Sequence, residues 1–232
     1  MKKGAELILL LGDTGAGKSS SFRDLPPKET VFIKPNSNSL PFPGYESDYK
    51  LGVNLFVVND LKTVGTLLRS KELSNFKYVI VEDLNLFFNE RITSPLFLSQ
   101  GVGANTYQRW NVFAADVIQG FVAPALTMSD GTYLVLSAHT ELKEDNIIGM
   151  RTSGKLLDNT LRIQAYCTYI IHALSTMGKE GMSYKFLTNG DGKHLAKSPA
   201  GCLELNMPNN IMPLLAKIEE YRAGKVKDIV WK

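Results

Sequence analysis

Gly12-Asp13-Thr14-Gly15-Ala16-Gly17-Lys18-Ser19 matches the pattern G-x-x-x-x-G-K-[ST] without a gap, and no other stretch limits the fold so narrowly. Its glycines let the backbone curl so that successive amides face one point. Such a loop needs a strand running into it and a helix opening after it, whose positive end adds to the amides' pull on an anion. Both flanks are present. Residues 6–11 (ELILLL) read as a buried strand, and 18–23 open a short helix that Asp24-Leu25-Pro26-Pro27 breaks. In a loop of this kind Lys18 reaches the β- and γ-phosphates of a nucleoside triphosphate, and the Ser19 hydroxyl ligates magnesium. The expected cofactors are ATP and Mg²⁺. The expected binding set is Gly12, Asp13, Thr14, Gly15, Ala16, Gly17, Lys18, Ser19 and the adjoining Ser20. The bland alternative is a glycine-rich turn with an incidental lysine.

Beyond the loop, short apolar runs alternate with amphipathic or loop-like stretches, which predicts an α/β fold with a mostly parallel central sheet. Further strands are expected at 30–34 (TVFIK), 77–82 (KYVIVE) and 132–138 (TYLVLSA). Asn59 or Asp60 can cap a helix running to about Lys71. Helical spacing of Trp110, Phe113, Ala114, Val117, Ile118 and Phe121 marks a second helix over 106–126, which Pro124 should bend or end. Residues 166–173 and 183–187 flank Gly178-Lys179-Glu180-Gly181 as a hairpin, and 209–223 form a last helix. Residues 35–54 read as a surface excursion, and 91–105 and 141–160 as mobile loops. No internal repeat or composition break divides residues 1–232, so they read as a single domain.

Two further elements carry candidate chemistry. Val79-Ile80-Val81-Glu82-Asp83 is an apolar strand ending in carboxylates, which suits the shell of a magnesium ion. Side chains alternate along a strand, so the two acids cannot point the same way while it stays extended. Asp83 is assigned to the metal side and Glu82 to polarising the attacking water, with the reverse left open. The other element is Ser137-Ala138-His139-Thr140-Glu141 at a strand end. Ligands of parallel sheets lie beyond the carboxyl ends of the strands. His139 is therefore read either as a sensor of the γ-phosphate or as a capping histidine.

A charge of +3, with 44% hydrophobic and 21% charged residues, permits nucleic-acid contact without demanding it. Cys167 and Cys202 lie far apart and read as reduced thiols of a cytosolic protein. Met1-Lys2-Lys3 followed by Leu7 to Leu11 is too short for a secretory leader and lacks a cleavage site. No stretch approaches a membrane span. The expected location is the cytoplasm, that of the host if the chain is phage-encoded.

In their order and spacing these elements resemble the RecA-like branch of the P-loop ATPases. Closer still, they are similar to bacteriophage ATP-binding proteins of the RecA-like single-strand annealing type. Gly12 to Ser19, the strand into Asp83, and Leu134 to His139 carry the resemblance. So do Gly154-Lys155-Leu156-Leu157, the 166–188 strand pair and Gly192-Lys193-His194-Leu195-Ala196-Lys197. Where Glu82 stands, that family usually has an apolar residue. The resemblance implies a RecA-like P-loop core with a C-terminal β-hairpin and ATP hydrolysis with Lys18, Glu82, Asp83, His139 and Lys197 as catalytic candidates. Assembly would be head-to-tail, with Lys197, or second Lys193, reaching the neighbouring subunit's γ-phosphate; a solvated surface lysine is the plainer reading of each. It also implies single-stranded DNA as a partner, beside phage recombination or replication proteins. Arg91, Arg109, Lys143, Arg151 and Lys155 would meet DNA phosphates, and Tyr107 or Trp110 a base. Glu141, Glu144, Asp145 and Asp158 in the same stretches oppose that charge, and Trp110 falls on an apolar helix face. Two other functions fit the loop: a nucleotide-dependent loader or assembly factor controlling a protein partner, and a small-molecule kinase. The kinase needs an arginine-rich lid, whereas Arg151 and Arg162 are scattered.

Overall fold

A computed structural model describes residues 4–99, 107–152, 157 and 161–225. Ten strands are described: β1 (Glu6–Leu11), β2 (Thr30–Lys34), β3 (Leu55–Val57), β4 (Tyr78–Val81), β5 (Tyr133–Ala138), β6 (Thr140–Leu142), β7 (Ile148–Met150), β8 (Tyr169–Gly178), β9 (Gly181–Leu187) and β10 (Asn206–Pro208). Eight form one sheet in the order β10-β9-β8-β1-β5-β4-β2-β3, while β6 and β7 pair separately. From β8 to β3 all neighbours run parallel. β9 and β10 extend the sheet antiparallel. The fold is thus the expected one, a mostly parallel central sheet flanked by helices with a β-hairpin towards the C-terminus.

The run ELILLL forms a strand buried on both faces because its neighbours cover both sides. Leu7, Leu9 and Leu11 join a core with Val79, Val81, Leu134, Phe87 and Phe121. Ile8 and Leu10 face the opposite core with Phe22, Phe32, Val135 and Phe186. The first core is covered by helices Leu61–Leu68, Leu84–Thr93 and Gln108–Val117. Asp60 caps the first of these, its Oδ1 accepting from the Thr63 amide at 2.8 Å. The second core is covered by helix Ile211–Arg222, whose Ile211, Leu214, Leu215 and Ile218 make one apolar stripe at helical spacing.

Proline acts on the 108–127 segment as expected, and the structure shows how. The α-helix widens into a π-turn over Ile118–Val122, and a new helix, Ala123–Thr127, begins with Pro124 in its first turn, where its missing donor is tolerated. Gly120 lies within the π-turn. A Cβ there would stand 3.0 Å from the Leu61 carbonyl oxygen, so the glycine permits close helix packing.

Several loop expectations change. Residues 91–99 are not loop: the helix Leu84–Thr93 ends at the extended Ser94 and a second helix, Pro95–Ser99, follows, while 100–106 lie outside the described residues. Within 141–160, of which 153–156 and 158–160 lie outside the described residues, come most of β6 and all of β7, which pair as a hairpin. Their short runs, interrupted by Lys143-Glu144-Asp145-Asn146, gave no periodic signal. The excursion 35–54 contains the single-turn helix Tyr45–Asp48. The following strand, β3, is short and lies at the sheet edge, so it lacks the apolar run that marks β1.

Candidate functional site

Parallel strands end on one edge of a sheet, so β1, β2, β4 and β5 deliver Gly12, Lys34, Glu82 and His139 to neighbouring positions. A cleft of about 920 Å³ opens there. Its lining includes the loop residues Asp13, Gly15, Lys18 and Ser19 together with Glu82, Asp83 and His139. The sequence-predicted elements at 12–20, 82–83 and 139 therefore meet in one place.

The loop's form follows from its glycines. Gly15 and Gly17 have φ of 78° and 85°, which side-chain-bearing residues rarely adopt. Gly12 is required by proximity, since a Cβ there would stand 2.8 Å from the Ala173 carbonyl oxygen. The loop is also tied from outside: the Thr140 hydroxyl donates to Asp13 Oδ1. The helix expected after it is a single 3-10 turn, Ser19–Phe22.

The Lys18 ammonium folds back on the loop, donating to the carbonyls of Gly12 at 2.7 Å and Asp13 at 3.0 Å. Burial pulls its pKa below the ordinary lysine range, against the opposing pull of Asp83, Asp13 and Glu82. His139 stands between Lys18 and Asp83, with Nδ1 3.5 Å from Lys18 Nζ and Nε2 3.6 Å from Asp83 Oδ2. An ammonium beside Nδ1 and a carboxylate beside Nε2 suit a ring that accepts at Nδ1 and donates at Nε2. The ring's backbone is fixed by Asn85, whose Oδ1 accepts from the His139 amide at 2.7 Å. The Asn85 side-chain amide donates in turn to the Arg151 carbonyl at 2.8 Å.

The register conflict between the two acids is resolved by the backbone. β4 ends at Val81, and Asp83 adopts the left-handed conformation with φ 58° and ψ 64°. Its amide donates to the Ser137 hydroxyl at 3.0 Å. This bend lets both carboxylates line the cleft, which an extended strand would forbid. Asp83 heads a helix yet makes no capping bond with its side chain, so its carboxylate remains directed at His139. Glu82, only 8% exposed, lines the same cleft as Ser19. Burial pushes its carboxyl pKa up; Ser19 and then Lys34 oppose that shift.

Both acids keep one buried oxygen without a hydrogen-bond partner, Oε1 of Glu82 and Oδ1 of Asp83. Two carboxylates and a serine hydroxyl lining one cleft are hard-oxygen donors of the kind that fit magnesium. Among the described residues no group of three or more His, Cys, Asp or Glu could hold a metal ion. A magnesium ion here would therefore complete its shell with phosphate oxygens and water, as is usual for that ion.

Sequence reasoning missed Lys34. It ends β2 at 4% exposure, lines the cleft beside Glu82, and donates to the Asn38 carbonyl, tying down the 35–41 wall. The signal was a lysine closing an otherwise apolar strand, TVFIK, on the ligand-bearing edge. Tyr184 and Asn209 were missed as well, because β9 and the turn before the last helix reach the loop only through the fold.

The other nominated residues lie elsewhere. Lys193 and Lys197 are exposed and do not line the cleft; the Lys197 backbone pairs with Ile170. Arg91 is engaged by Asp116 at 2.9 Å, Lys143 by Glu141 at 2.6 Å, and Arg109 lies over the rings of Phe97 and Trp110. Trp110 packs on Phe97 and Phe113, the core role its helix face implied. Tyr107 and Arg151 are exposed. Lys155 and Asp158, with most of Gly154-Lys155-Leu156-Leu157, lie outside the described residues. Cys167 and Cys202 are free and buried, and no helix of the described residues is long and apolar enough to cross a membrane.

No protein-family model matches the chain, and no curated protein sequence matches it. Among solved structures it is similar to the flagellar accessory protein FlaH from Methanocaldococcus jannaschii, with a TM-score of 0.44 and 11% identity over 88% of this chain and 84% of that one. It is also similar to a KaiC-like protein from the hyperthermophilic archaeon Pyrococcus horikoshii OT3, with a TM-score of 0.39 and 12% identity over 79% of this chain and 78% of that one.

Proposed function

We propose that this protein is a magnesium-dependent ATPase of the RecA-like P-loop class. The observation that carries the reading is the convergence of Lys18, Ser19, Glu82, Asp83 and His139 on one cleft at the carboxyl edge of a parallel sheet. Gly15 and Gly17 shape a loop whose amides hold phosphate, and Lys18 releases its own loop carbonyls to donate to the phosphate oxygens. Magnesium, when bound, supplies neutralising charge to the phosphates. Ser19 and Glu82, which line one cleft, would hold it. Asp83, turned towards His139, is then the group that accepts a proton from water, while His139 orients it. This is the assignment the sequence left second; the Asp83 carboxylate turned to His139, with Glu82 lining the cleft beside the loop, favours it.

The setting we propose is phage-type DNA metabolism, recombination or single-strand annealing, with the chain acting as an oligomer on single-stranded DNA. The resemblance of the motifs supports this, together with the tie from the sensor strand through Asn85 to exposed Arg151. Steady-state ATP turnover with and without Mg²⁺ and with and without single-stranded DNA tests both levels. Magnesium-dependent turnover stimulated by DNA is the expected result. Turnover indifferent to DNA would favour a module that controls a protein partner, a phosphorylated small-molecule product would favour a kinase, and no nucleotide binding at all would defeat the assignment.

A further inference from the structure

The strand order fixes which way a nucleoside triphosphate lies across the loop. β5, β4 and β2 stand on one side of β1 and bring His139, both carboxylates and Lys34; β8, β9 and β10 stand on the other. The terminal phosphate belongs beside the acids, so the nucleoside runs towards β9. On that side the cleft is lined by Arg23, Tyr184, Pro208 and Asn209.

Phe186 of β9 is buried in the second core, and Tyr184, two residues before it, shares its face. At Tyr184 the core has given way to the phosphate loop. A Cβ on Gly17 would stand 3.1 Å from Tyr184 Cδ1 and 3.1 Å from the Asn209 side-chain amide. Tyr184 is nonetheless 46% exposed, so its ring leans on the loop while leaving much of its surface open to the cleft. The Arg23 guanidinium fixes the neighbouring wall, donating to the carbonyls of Asn209 at 3.0 Å and Ser20 at 3.1 Å. An aromatic surface leaning on a phosphate loop and open to the same cleft is the chemistry of a base platform.

We propose that Tyr184 is the platform on which the nucleobase of the bound triphosphate stacks. This rests on the reading of the loop as a nucleoside triphosphate site. Calorimetric titration of Mg-ATP and of Mg-tripolyphosphate, which has phosphates but no base, separates the two ideas. Tyr184→Val keeps a residue suited to a strand and Tyr184→Phe keeps the ring. Tyr184→Val should weaken ATP about tenfold or more, since alanine substitution puts stacking at roughly 1–3 kcal/mol per base and tenfold is about 1.4 kcal/mol. It should leave tripolyphosphate unchanged, and Tyr184→Phe should bind ATP like the wild type. If Tyr184→Val weakens both ligands equally, or neither, the platform is wrong although the phosphate site stands. Wild-type protein that binds neither ligand overturns the nucleotide reading itself.

Discussion

Asp83 carries two separable demands, one on its backbone and one on its carboxylate, and paired substitutions distinguish them. Its φ of 58° and ψ of 64° lie in the left-handed region, which costs most side-chain-bearing residues about 1–2 kcal/mol and which Asn and Asp tolerate best. Asp83→Asn should therefore keep the bend between β4 and the helix Leu84–Thr93, whereas Asp83→Ala should destabilise the fold by about 1 kcal/mol or more. For a chain of this size that is a fall in Tm of about 2–4 °C per kcal/mol. Thermal unfolding followed by circular dichroism reads the difference. Function should divide differently. If Asp83 accepts the proton from water, both variants lose turnover by about 10²–10⁴, the usual contribution of a general base, while Mg-ATP affinity stays within a few fold. Glu82→Gln, at the Ser19 side, should instead lose the gain in ATP affinity that magnesium gives. Equal stability of the Asn and Ala variants would refute the backbone argument. Retained turnover in Asp83→Asn would refute its chemical role, and loss of magnesium-dependent affinity there, but not in Glu82→Gln, would restore Asp83 to the metal side.

Lys18→Ala removes a charge-assisted donor worth roughly 1.5–3 kcal/mol, so ATP affinity measured by calorimetry should fall about tenfold to a hundredfold with the melting curve little changed. Lys34→Met leaves Glu82 buried with one fewer cation beside it; it should lower stability by about 1–3 kcal/mol in urea unfolding at pH 7. In the double variant with Glu82→Gln, much of that loss should return, since no carboxylate is then left uncompensated. His172 is 2% exposed, and burial, then the charge of His194, lower its pKa from 6.5 to about 4. The unfolded chain thus binds the proton more readily, and stability should be lost as pH falls from about 6.5 towards 4, by up to about 3 kcal/mol. His172→Gln should flatten that part of the urea-unfolding pH profile relative to wild type; identical slopes would show that His172 is not the titrating group.

The sequence by itself determined what depends on local rules. β1 and β2 were legible to the residue, because continuous apolar runs bounded by glycine or proline have few other uses. The phosphate loop was legible because its glycines are demanded by backbone shape, and a helix start at Asn59 or Asp60 because a cap is local chemistry, although the structure alone chose Asp60. Only the tertiary structure decided which distant residues share the cleft. Strand order is not written in any single segment, yet it inserts β5 between β1 and β4 and so places His139 between Lys18 and Asp83. The same order sends Lys34 to one end of the site and Tyr184 to the other. The two carboxylates illustrate the limit best. Alternation along an extended strand predicted that they point apart, and one left-handed residue, held by the Ser137 hydroxyl from the neighbouring strand, turns both towards the same cleft.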